Sequence, residues 1–500
     1  MALRFAEPIP ARLLMWQRVR EYAVPPSMIE IATARRVAGD WAGACAAARM
    51  DVDLDLRAVR VRHGTDLAHR LRADLRRLAP DLLRWHMPRI APDGRLRPGL
   101  TLSLARYGAP GTAAPHLVVR TPPAWADGGQ RMSLALWEES RADAPRHHPH
   151  PHPDRRFRLD LHRHLWDATR GAELARRSGA DTPYEPDGHD LPRPPARWAA
   201  EAELLLRAEG RPRGALTVRL GARSRAVLEL VAPDDSHAPA LRPVREVLSP
   251  QQIAVLPVLP EAAARTLPDL ELLRAGLLRV EQLHPLVAAA LSTSGREGPS
   301  GSSTPTGAAR EAVPRWGTGP DFGRDAGLAR GPDVGADRGT ADPHRVACMG
   351  EVHRIALRDG VLAAVDHDPA QLAREDLLMA LGGPGLPCLQ AIDAVHRSPE
   401  ALPAVRERLG HGDVTGALAV VEGLLGPGAA LREGPLRDAL EGAVAGRLGH
   451  GLFRSGLVPV HPAAEVARDD GYRPRLDRRT PRDLRRKRGS RARPRTGLHG

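Results

Sequence analysis

Apolar positions over the first ninety residues recur at helical spacing. Leu67, Leu71, Leu75, Leu78 and Leu82 form a stripe opposite Arg70, Arg72, Arg76 and Arg77, which predicts an amphipathic helix. Pro80 is expected to kink or end it, because proline offers no N–H to the preceding turn. From Thr101 the period changes to two. Leu102 and Leu104, Leu117 and Val119, and Met132, Leu134 and Leu136 alternate with small or polar residues between turns rich in Gly and Pro, the pattern of half-buried strands. Phe157, Leu159 and Leu161 continue it, as do Leu216, Val218 and Leu220, then Ala226, Leu228 and Leu230. A helix over Trp198–Ala208 interrupts the series, and leucine-rich segments from Glu261 to Leu291 return to helical spacing. The first 291 residues therefore predict an α+β domain: helical over 1–90, sheet-rich over 100–232 with five or six antiparallel strands, and helical over 261–291.

The pattern then stops. Residues 292–343 hold eleven Gly and six Pro, with Ser and Thr crowded at the start. They offer too little apolar surface to offset the entropy of ordering them, so 292–345 is read as a disordered linker. A mainly helical C-terminal domain with a β-hairpin is expected over 346–458. Ile355 and Leu357 face Leu362 and Ala364 across Asp359-Gly360, a pair suited to a two-residue hairpin turn. Asp368-Pro369, Pro387, Ser398-Pro399 and Asp413 each open a helix, with Gln371 placed as in a capping box, and Gly410 and Gly426 stand at helix stops.

Composition refines this picture. Hydrophobic residues make up 42% and aromatic residues 3%, so the cores are built from Leu, Val and Ala. The net charge of +13 is misleading as a whole-chain property. Lys487 is the one lysine and asparagine is absent, which fits high-GC coding bias. Arg473–Arg495 carries twelve cations against Asp477 and Asp483, a net +10 that leaves +3 for the remainder. The tail over 469–500 is thus a basic, disordered segment. Arg485, Arg486, Lys487, Arg488, Arg491 and Arg493 are the candidate contacts to nucleic acid or another polyanion, through salt-sensitive, sequence-blind pairing with phosphates.

Candidate chemistry is sparse. Cys45, Cys348 and Cys388 are far apart and form no C-x-x-C pair, so neither a disulfide framework nor a zinc site is expected. Cys388 follows Pro387 in a first helical turn, where a thiol pKa falls; were it a nucleophile, His353 and His367 would be the bases to examine first. His147, His148, His150 and His152 alternate with prolines that hold them extended, so they form no preformed metal cage. His162 and His164 are expected on an exposed strand edge. Asp51, Asp53 and Asp55 open like a calcium loop, but Leu56 and Arg62 stand where Gly and Glu are required; an alternating segment with one acidic face fits better. No cofactor is expected. The apolar runs are too short for a transmembrane segment, and a reducing, cytoplasmic location is inferred.

Two short segments echo each other: Gly39-Asp40-Trp41-Ala42-Gly43-Ala44 and Gly412-Asp413-Val414-Thr415-Gly416-Ala417. Asp can cap a helix whose first turn needs small residues, and the pattern resembles the second-helix start of tetratricopeptide-type hairpins, without their 34-residue period. The strings Trp16–Tyr22 and Asp81–His86, and the region 349–457, resemble a family of high-GC bacterial proteins with no known activity. That resemblance implies a bacterial cytosolic origin and carries no site residues. The expected function is a non-enzymatic interaction or scaffold protein with a protein partner. The alternatives are a nucleic-acid-associated protein working through its tail, and an enzyme whose site is not recognisable from sequence.

Overall fold

The computed structural model describes residues 9–138, 152–178, 196–221, 224–231, 238–294, 345–383 and 385–457. They fall into two compact units, one drawn from Met1–Gly295, His396–Leu424 and Ala430–Gly500, the other from Arg296–Val395 and Leu425–Ala429. The architecture is mixed α+β.

The first unit begins with α1 (Ala11–Tyr22), α2 (Pro26–Val37) and α3 (Trp41–Ala47), followed by β1 (Met50–Asp53), α4 (Leu56–Arg77) and α5 (Pro80–His86). Proline opens α2 and α5, where its missing N–H costs nothing. Asp55 caps α4 by accepting from the N–H groups of Arg57 and Ala58. The predicted stripe is buried, with Leu71 and Leu75 fully enclosed. Ala79, ahead of Pro80, is extended, the conformation a pre-proline residue prefers, and the helix ends there as expected.

Short strands β2 (Arg89–Ile90) and β3 (Arg95–Leu96) pair with each other; β4 (Thr101–Arg106), β5 (His116–Arg120) and β6 (Met132–Trp137) form an antiparallel sheet that β1 joins in parallel beside β6. The register sets Val119 opposite both Leu102 and Leu134. These side chains face Leu71, Leu75 and Trp85 in the main core, while Val118, Ala135 and Trp137 cluster on the other face.

The segment around Phe157 is not a strand. Asp154 and Asp160 hold Arg156 and Arg158 two residues away, and backbone bonds from Phe157 to Asp154 and from His162 to Leu159 close turns in place of a ladder. His162 and His164 therefore sit buried in and beside a 3-10 turn, not on an exposed edge. After α6 (Gly171–Arg177) and α7 (Ala196–Ala208), β7 (Gly214–Arg219), β8 (Arg225–Val231) and β9 (Ala240–Pro243) make a separate antiparallel sheet. Trp198, Ala202 and Leu206 of α7 pack on Leu216, Val218, Leu228 and Leu230. One expected sheet is thus two, each with its own helices. α8 (Pro250–Val255), α9 (Glu261–Ala264), α10 (Pro268–Arg274) and α11 (Pro285–Ser294) follow, and Asp269 of α10 forms a buried ion pair with Arg20 at 2.7 Å.

The second unit contains β10 (Arg345–Cys348), β11 (Glu351–Arg358), β12 (Val361–Ala364), α12 (Pro369–Ala380) and α13 (Pro387–Arg397). The Asp359-Gly360 turn has both residues at positive φ, and it pairs Ile355 with Ala364 and Leu357 with Leu362. Asp368 precedes α12 but its side chain caps nothing, and Gln371 reaches the Met349 sulfur instead of closing a capping box.

α14 (Leu402–Gly410), α15 (Val414–Leu425) and α16 (Pro435–Arg454) complete the chain. All of α14 and α16 belong to the first unit, so the helical domain expected over 346–458 is shared between the two units. Phe453 meets Trp125 edge-on at 5.6 Å, the His450 Nδ1–H donates to the Ala126 carbonyl at 2.9 Å, and Arg454 pairs with Asp53. These partners lie more than 300 residues apart, beyond the reach of local pattern. Among the described residues no helix is long and apolar enough to cross a membrane.

Candidate metal centre

The second unit is built from a three-stranded meander and two helices. Met349 and Gly350, both at positive φ, turn β10 into β11. The pairing sets Cys348 opposite Glu351 and Val346 opposite His353. Successive strand residues alternate between faces, so Cys348, His353 and Ile355 share one face of the sheet. Arg354 reaches past the end of β12, its backbone N–H and Nη2 each 2.8 Å from the Asp366 carboxylate. That clamp fixes the turn carrying His367. Pro387 then opens α13, which puts Cys388 in its first turn.

Cys348, His353, His367 and Cys388 converge. One sulfur or ring-nitrogen atom from each lies within 4.8 Å of the other three. The cysteines are 1% and 0% exposed, His367 6%, and the His353 side chain 12%. Nδ1 of His353 and Nε2 of His367 face each other at 2.7 Å, with ring centroids 4.1 Å apart. His353 turns its other nitrogen, Nε2, toward the exposed Glu351 carboxylate at 3.5 Å.

Two thiolates and two imidazoles are a zinc donor set. A tetrahedral Zn²⁺ takes Zn–S bonds of about 2.3 Å and Zn–N bonds of about 2.0–2.1 Å, so its ligand atoms lie roughly 3.3–3.8 Å from one another. A cluster spanning no more than 4.8 Å needs only small side-chain adjustments to meet that. Four protein ligands close the coordination shell, as in structural sites. The Glu351 contact supplies the outer partner that orients a ligating histidine through its second nitrogen.

No family model, curated protein or solved structure matches the chain.

The distant cysteines give no C-x-x-C signal, yet the fold gathers two of them with two histidines into a set that could hold a metal ion. Cys388, His353 and His367, singled out as a nucleophile and its bases, do come together, and Cys348 joins them. Burial, then a hydrogen bond with Cys348, pushes the Cys388 thiol up to about 12. That is the opposite of an activated nucleophile. Cys348 was missed because the Met349-Gly350 hairpin carries no Asn-Gly or Asp-Gly signal; once β10 is paired, the shared face of Cys348 and His353 follows.

The other candidates lie apart. Cys45 is buried alone in the main core. The His152 ring sits 5.9 Å from Trp137, whereas His147, His148 and His150 lie outside the described residues. So do Arg485, Arg486, Lys487, Arg488, Arg491 and Arg493. Asp51 and Asp53 are paired with arginines, Arg131 and Arg454, and not arranged around a cation.

Proposed function

We propose that the chain is a zinc-binding interaction protein in which the metal holds the second unit together and takes no part in chemistry. The observation that carries this reading is the convergence of Cys348, His353, His367 and Cys388 within 4.8 Å. Four protein ligands leave no coordination position at which water or substrate could be activated. The hydrocarbon core of the unit is small, with Ile355, Ala364, Leu389 and Ile392 buried beside the two thiols. Units of this size need a staple beyond their core, and structural zinc supplies folding free energy directly. Thiol ligands must stay reduced, which favours the cytoplasm.

The test uses the full chain. Metal analysis of protein expressed in zinc-supplemented medium should find one zinc per chain. Replacement by Co²⁺ should give the strong visible bands and thiolate charge-transfer absorption of a tetrahedral S₂N₂ site. Chelation should open residues 345–395 to proteolysis. Metal content unchanged in Cys388→Ser, or no cobalt spectrum from folded protein, would overturn the reading.

A further inference from the structure

The first unit contains an open cleft of about 740 Å³, within the range of small-molecule sites. α1, the segments around Met87 and Phe157, the end of β7 and residues 260–268 meet around it. Trp16, Met87, Phe157 and Leu165 give it apolar walls. Its charge is one-sided: nine of the lining residues are arginines, and Glu261 is the one carboxylate.

Five of those arginines are held by carboxylates outside the lining. Arg12 pairs with Glu271, Arg20 with Asp269, Arg156 with Asp154, Arg158 with Asp160 and Arg177 with Glu201. Among the described residues Arg89 and Arg219 have no carboxylate partner. Arg89 is 6% exposed. Its Nη2 donates to the Arg84 carbonyl at 2.7 Å, while Nε and Nη1 meet no protein acceptor. Arg219, half-buried at the end of β7, feels the like charges of Arg156, Arg225 and Arg265 against the single charge of Glu261. The buried Nδ1 of His164, also in the lining, lacks a protein partner too.

A buried donor without an acceptor costs about 1–3 kcal/mol, and an uncompensated buried cation costs more. An oxyanion relieves both, since the guanidinium fork matches the two oxygens of a phosphate or carboxylate. We propose that this cleft binds an organic anion, its negative charge answered by the guanidiniums of Arg89 and Arg219 in the lining and its apolar body lying against Trp16, Phe157 and Leu165. A hydrocarbon ligand would fit the walls but leave the cations unanswered. An inorganic ion would leave most of the volume unused.

The experiment titrates the full chain with 1-anilinonaphthalene-8-sulfonate, an aromatic anion, and with N-phenyl-1-naphthylamine, its neutral counterpart. The sulfonate should bind saturably at one site and be displaced by phenyl phosphate or benzoate; whichever competes better identifies the head group. Arg219→Met, at a half-exposed position with no ion pair to lose, should weaken sulfonate binding at least tenfold and leave the neutral probe and the melting temperature unchanged. Arg89→Met should do the same where it folds, and R219M decides if it does not. Equal affinity for the two probes, no displacement by either competitor, or undiminished sulfonate binding by folded R219M would overturn the proposal.

Discussion

Nδ1 of His353 lies 2.7 Å from Nε2 of His367, with the two rings at 87° to each other. At that distance the N–H of one neutral ring donates to the lone pair of the other, and a tetrahedral metal bound to both would part the two nitrogens to about 3.3 Å. With two buried thiols beside them, a metal satisfies all four groups at once.

His367→Ala is accordingly expected to lower zinc affinity by on the order of 100-fold or more, measured by competition with a chromophoric chelator. Glu351→Ala removes only the outer partner of His353. The loss should sit near 10-fold, the low end for such contacts, because Glu351 is largely exposed. Wild-type affinity in the His367 variant would remove that residue from the ligand set.

His411 should make the first unit acid-sensitive. It is buried in a cationic surrounding: burial first, then Arg89, Arg84, Arg95 and Arg18, lowers its pKa to about 3. Glu407 lies 3.7 Å away, too weak a counterweight to four guanidiniums. A histidine whose folded pKa is depressed binds its proton more readily when unfolded. Its contribution to stability is complete above the unfolded value of about 6.5 and is lost as pH falls toward 3, at roughly 1.4 kcal/mol per pH unit. Urea unfolding at pH 7.5, 6.5 and 5.5 should show this fall, and His411→Gln should reduce its slope by about one proton. An identical slope in the variant would show that His411 does not set it.

Gly128 and Gly446 let α16 approach the body of the first unit. A Cβ on Gly128 would lie 2.1 Å from the Gly446 carbonyl oxygen, a backbone contact that no rotamer change can relieve. Gly128→Ala should destabilise by about 2–3 kcal/mol through overpacking and speed proteolysis within 435–454. Gly442, in the same helix, has open space around it, and Gly442→Ala should stabilise by about 0.5–1 kcal/mol on helix propensity. Thermal unfolding of the two variants checks both signs.

The paired Gly-Asp motifs show how far local reading reaches. Asp40 and Asp413 each accept a hydrogen bond from the N–H three residues on, Gly43 at 2.8 Å and Gly416 at 3.2 Å. A Cβ at either glycine would lie 2.1 Å from the capping carboxylate, which is why glycine stands there. Each aspartate also holds an arginine five residues before it, Arg35 or Arg408. All of that spans nine residues of chain, Arg35–Gly43 or Arg408–Gly416, and is legible without the fold. That Arg49, two residues beyond α3, then binds the His411 carbonyl at 3.0 Å and pairs with Asp413 is not.

The amino-acid sequence alone determined the elements whose causes are local: the Asp359-Gly360 hairpin, the helix that stops ahead of Pro80 and the one opened by Pro387, the capped starts at Asp40 and Asp413, and the alternating strands of the first sheet. Turn, cap and proline effects act over a few residues, so their signals are written where they operate. Tertiary structure decided which of these elements share a core, and it alone brought Cys348, His353, His367 and Cys388 together. Those residues are separated by a hairpin, a strand end and a helix. Their meeting depends on strand register and helix docking, which arise from contacts that no stretch of neighbouring residues encodes.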